Sequence, residues 1–174
     1  DENNYIITAV ARNINYILHG KIGTEFNDSH SKKHNNNPIG FYECENCSVV
    51  GSGGVICSDH RGINVDGAGD NCKFDISYIT NTSNNPIQMK IKPERYACIR
   101  VGSVHGIKFD GGDQMVVAWC GGGFIDLHIG NYRWDGVKKP IIAYANACQE
   151  LRVNCGIISG ASQVVRQYIT PVCR

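Results

Sequence analysis

The sequence predicts an α+β fold: mostly antiparallel β-sheet or sandwich, with an N-terminal helix and a second helix near the C-terminus. Three observations carry that expectation. Apolar residues recur at helical spacing over residues 4–19. From residue 39 onward, short apolar runs alternate with Gly- and Asn-rich turns. Nine cysteines are spread over positions 44 to 173, as in a framework of disulfides linking distant segments.

The first helix rests on Ile6, Ile7, Val10, Ile14, Ile17 and Leu18, with Arg12, Asn13, Asn15, Tyr16 and His19 on the other face. Asn3 or Asn4 can cap it and Gly20 can end it. A strand over Tyr5 to Val10 is the rival reading, because Ile and Val also favour sheets. Residues 26–38 are polar, carry no apolar period and read as a loop, with Lys32-Lys33 as a protease site.

Val49-Val50 and Val55-Ile56 flank a run of small residues and read as a hairpin. Strands are expected at Phe74–Thr80 and at Ile87, Met89 and Ile91, which alternate with Gln88, Lys90 and Lys92. Further strands follow at Tyr96–Val101, Val104–Phe109, Met115–Cys120 and Phe124–Ile129. The second helix opens at Pro140 and stripes Ile141, Tyr144, Ala145, Cys148 and Leu151 on one face. Val164–Ile169 is the last strand. A shift in composition around residues 62–72 divides a helix-plus-hairpin part (1–68) from a β-rich part (69–174), although one domain also accommodates the pattern. No repeat is convincing: residues 63–67 and 107–111 are alike only as strands that end in turns.

Formal net charge is +1, from 17 basic and 16 acidic residues with no basic stripe, so tight nucleic-acid binding is not expected. No apolar run is long enough to span a bilayer as a helix. Acceptor triplets at Asn27, Asn46 and Asn81, together with the cysteines and a chain that opens at Asp1, lead to the expectation of a processed, secreted, disulfide-bonded glycoprotein.

Several constellations compete for function. Cys44, Cys47, Cys57 and His60 form two knuckles spaced as a tetrahedral zinc site requires. The alternative is that Cys44, Cys47 and Cys57 are ordinary disulfide partners and His60 a surface residue. If they hold zinc, Cys72, Cys98, Cys120, Cys148, Cys155 and Cys173 remain as an even set for disulfides. An enzymatic reading makes His105 and His128 the general acid and base of a ribonuclease-like hydrolase, with Arg100 or Arg133 on the phosphate and Asp126 nearby. Tyr132, Arg133 and Trp134 are of the residue types that anchor interfaces and form a candidate binding patch, although Trp134 can equally complete the core.

The Asn- and Gly-rich composition, the front amphipathic segment and the cysteine-threaded strands resemble those of secreted fungal cysteine-rich effectors. In outline the chain is similar to dual-domain effectors of plant-pathogenic fungi. The tract Ala147-Cys148-Gln149-Glu150-Leu151 to Cys155-Gly156, with Tyr168 and Cys173, resembles the end of fungal killer toxins. The resemblance implies a non-enzymatic virulence or toxin protein with no cofactor that binds a host or competitor protein, glycan or membrane component. It carries no functional residue across.

Overall fold

The computed structural model describes residues 5–9, 12–23, 37–56, 62–82, 86–106, 116–134, 141–161 and 163–168. In chain order the strands wind as successive rungs. The first rung holds β1 (Tyr5–Ala9), β2 (Asn15–Ile17) and β3 (Lys21–Gly23). The second holds β4 (Asn37–Tyr42), β5 (Ser48–Val50) and β6 (Gly54–Ile56). Then come β7 (Ile63–Ala68) with β8 (Cys72–Thr82), β9 (Ile87–Ile91) with β10 (Tyr96–Gly106), and β11 (Val116–Gly121) with β12 (Phe124–Trp134). Last are β13 (Ile141–Asn146) with β14 (Glu150–Ser159), followed by β15 (Gln163–Tyr168).

Every pairing among these strands is parallel and joins one rung to the next. A short-strand sheet runs β1-β4-β7-β9-β11-β13-β15. A long-strand sheet runs β14-β12-β10-β8-β5-β2, with β3 and β6 joined to it through β8. The result is a parallel β-solenoid.

This overturns the α+β expectation, because the described residues contain no helix. Where the first helix was expected, β1 and β2 lie on either side of a turn in which Asn13 takes φ 60°. Where the second was expected, β13 and β14 flank Ala147 at φ 53°. A residue in the left-handed region ends a right-handed helix, so neither apolar stripe can continue through it. The expected hairpin at 49–56 is also absent: β5 and β6 do not pair with each other but run on in one direction, each beside its counterparts in neighbouring rungs.

Stacked rungs place like positions in ladders, and the core is built from them. On the short-strand sheet Ile39, Ile63, Ile87, Ala118 and Ala143 are in register, as are Phe41, Val65, Met89, Cys120 and Ala145. On the long-strand sheet Tyr16, Val49, Phe74, Ile99, Leu127 and Val153 form the facing ladder. Phe41 meets Phe74 edge to face across the interior, with centroids 5.4 Å apart. At one corner the rungs are tied by side-chain amides. Asn71 donates to Asn46 at 2.9 Å and Asn46 to Asn13 at 3.2 Å, all three with positive φ. Asparagine tolerates that conformation, and its amide both donates and accepts, so a stack of them satisfies itself.

The long strands bend. Within β10 the inward residues are Ile99, Val101 and Val104, so alternation slips by one at Gly102 and Ser103. The same slip recurs in β8 at Ser77-Tyr78 and in β12 at Gly130-Asn131. In the first two rungs this bend is a full interruption, which divides β2 from β3 and β5 from β6.

Candidate functional site

The two sheets offer very different outer surfaces. Outside the short-strand sheet, Asn64 and Gln88 are only 5% and 7% exposed despite pointing away from the core. The outer face of the long-strand sheet is open and polar. Its outward residues form two parallel ladders: Lys73, Cys98, Asp126 and Arg152, then Asp75, Arg100, His128 and Asn154.

The next outward position in each rung is Ser77, Gly102, Gly130 and Gly156, at the bend. Glycine is required there sterically. A Cβ on Gly102 would lie 2.5 Å from the Ser77 carbonyl oxygen, one on Gly130 2.5 Å from that of Gly102, and one on Gly156 2.2 Å from that of Gly130. The column therefore has no side chains beyond Ser77 and forms the floor of a trough along the solenoid axis. Asp75, Ser77, Arg100, Gly102, His128 and Gly130 line a groove of about 340 Å³ there.

Within the groove Arg100 and His128 stand directly opposite each other on β10 and β12, about 4.8 Å apart along the sheet. Asp75 is in register with Arg100 on the other side, and Lys73 engages it at 3.4 Å. Arg100 and His128 have no hydrogen-bond or ion-pair partner among the described residues.

A second depression, of about 120 Å³, lies on the same face and is lined by Tyr96, Phe124, Asp126, Glu150 and Arg152. The Tyr96 hydroxyl donates to Asp126 Oδ2 at 2.6 Å, and that bond to a carboxylate pushes the phenol up to about 12. Arg152 Nε donates to Glu150 Oε1 at 2.5 Å, which holds the guanidinium further on the charged side. The rings can cover an apolar ligand face while the charged groups take its polar edge.

The residues singled out in the sequence are distributed as follows. Arg100, Asp126 and His128 share the open face. His105 stands on β10 opposite Arg133, five positions beyond the partner of His128, or about 16 Å along the strand at the usual rise. Tyr132 points into the core, 2% exposed, with burial raising its phenol. Its neighbour Arg133 is exposed, and Trp134 ends β12.

Cys57, His60 and Cys173 lie outside the described residues. Cys44 and Cys47 are buried in the turn after β4. Among the described residues no group of three or more His, Cys, Asp or Glu is placed to hold a metal ion. Cys72 is buried beside Cys44, and Cys98 lies on the outer ladder. Cys120 is buried on β11, where desolvation and then the Cys148 thiol push it up. Cys148 lies in the β13–β14 turn and is itself raised to about 11 by burial. Cys155 is half-buried on the inner side of β14 and raised for the same reason. Asn46 of the middle acceptor triplet has its amide engaged in the corner stack.

The trough and the Tyr96 depression escaped the sequence reading. Their signal was a glycine recurring in Val101-Gly102, Ile129-Gly130 and Cys155-Gly156, each just after an apolar strand half. Comparison with family models, curated proteins and solved structures finds no match.

Proposed function

We propose that this protein is a secreted, non-enzymatic binder of an extended glycan, which lies along the trough of the long-strand sheet with a carboxylated sugar over Arg100 and His128. The observation that carries the reading is the pair itself: two adjacent side chains able to donate, without a hydrogen-bond or ion-pair partner among the described residues, beside a floor that has no side chains for three successive rungs. A flat polymer can approach such a floor closely. Arginine presents a planar fork that matches a carboxylate, and its desolvation is offset by the ligand's charge. Tyr96 and Phe124 offer ring surface to a neighbouring sugar on the same face.

Affinity electrophoresis tests the proposal. A soluble polyuronate cast in the gel retards the protein, and a neutral dextran of similar length does not. Arg100→Ala weakens retention by about 10- to 100-fold, the usual worth of a charge-assisted hydrogen bond. His128→Ala weakens it less. The polymer recovered afterwards keeps its length. Equal mobility with and without polyuronate refutes the reading, and new reducing ends in the polymer replace binding with catalysis.

A further inference from the structure

Two buried thiols meet between the second and third rungs, Cys44 and Cys72. Cys44 lies in the turn that leads from β4 to β5, and Cys72 is the first residue of β8 in the following rung. They are 28 residues apart in sequence, yet their Sγ atoms are 3.4 Å apart. Their exposures are 0% and 1%. The backbone holds both in place: Gly69 N donates to the Cys44 carbonyl at 2.7 Å, and Lys73 N to the Cys47 carbonyl at 3.0 Å. The shared Sγ–Sγ contact, in which either thiol can donate, raises Cys44 and lowers Cys72.

We infer that Cys44 and Cys72 form a disulfide that staples the second rung to the third. Closing the bond to the usual ~2.05 Å brings the two sulfurs about 1.4 Å closer than their 3.4 Å contact. Formation follows thiol–disulfide exchange with a small-molecule or protein disulfide as oxidant. One cysteine thiolate attacks a donor sulfur, forming a mixed disulfide and expelling one donor thiolate. The second cysteine thiolate attacks the mixed disulfide at the protein sulfur and expels the other. Two protein thiols are oxidised, the donor disulfide is reduced to two thiols, and the protons lost by the cysteines pass to the donor's sulfurs. Because both sulfurs are buried in the finished fold, the exchange takes place before the two rungs close over them.

The sequence leaves the pairing open, with Cys44 either a zinc ligand beside Cys47, Cys57 and His60 or an ordinary disulfide partner. Parallel stacking selects the partner, since it sets the turn of one rung directly against the strand start of the next.

The test is a non-reducing peptide map of the full chain, denatured in the presence of an alkylating agent. Cleavage after Glu43 and Glu45 separates Cys44 from Cys47, and trypsin isolates Cys72 ahead of Lys73. The expected product is a linked pair of peptides carrying Cys44 and Cys72, lighter by two hydrogens than their sum. Alkylation of both residues, or linkage of either to Cys47 or another cysteine, overturns the inference. A second measurement needs no peptide assignment. Cys44→Ala, Cys72→Ala and the double variant share one lowered denaturation midpoint, and reductant brings the wild type down toward it. Additive losses, or a wild type indifferent to reductant, overturn it as well.

Discussion

Tyr96 shows how one contact sets a side chain's chemistry on the open face. The residue is 43% exposed, so burial alone does not explain its raised phenol; the largest cause is the hydrogen bond to Asp126. Protonated tyrosine donates to the carboxylate, and ionised tyrosine would face it as a like charge. The folded-state value of about 12 lies above the ordinary 10. The stabilisation is therefore fully present below pH 10 and is lost as pH rises through 12. Ultraviolet titration of the folded protein should place this phenol above the ordinary range, and Asp126→Asn should bring it back down. A phenol unmoved by the substitution would mean that the bond is not formed. Neither partner was legible as a pair. Residues 96 and 126 are 30 apart, and only parallel register brings strand β12 beside strand β10 two positions further on.

Elements are where sequence and structure part most sharply, and the glycine column explains why. Gly130→Ala places a Cβ against the Gly102 carbonyl oxygen, a backbone atom held by the sheet and unable to give way. The expected cost is about 1–3 kcal/mol, as for other overpacked sites, read as a lower denaturation midpoint. Gly20→Ala is the control: nothing lies within 4 Å of its Cβ, and the change should stay within about 0.5 kcal/mol. Equal effects at the two positions would refute the steric account. Several strand positions were nonetheless readable, because period-2 alternation is a property of one strand alone. Ile87–Ile91 occurs as expected, and β8, β11, β12 and β15 overlap the expected strands at Phe74, Met115, Phe124 and Val164. The two helices failed for a related reason. Two short strands on either side of a left-handed turn put Ile6, Ile7, Ile14 and Ile17 at intervals that also suit a 3.6-residue period. The decisive residues, Asn13 and Ala147, carry no unique mark of their φ in the sequence.

Topology belongs to the whole molecule, and alternation does not encode it: the same inward ladder serves an antiparallel sandwich and a parallel solenoid. What distinguishes them is repetition, and here strand starts recur at uneven intervals between 22 and 32 residues along the short-strand sheet. Such a spread, with different residues in each rung, leaves no sequence period to detect. Energetically the architecture is close to one-dimensional, because each strand pairs only with its neighbours in the stack. Position in the stack should then set the cost of a core truncation. Leu127 is fully buried on β12 with strands on both sides, whereas Val153 occupies the same ladder on β14 at the sheet's edge and is half-buried. Leu127→Ala should cost about 2–5 kcal/mol, the usual range for a buried leucine, and Val153→Ala clearly less. Denaturant midpoints of the two variants decide the matter. A similar loss at both positions would mean that the rung of β14 is as firmly enclosed as that of β12, and that the stack is stabilised by something beyond its nearest-neighbour ladders.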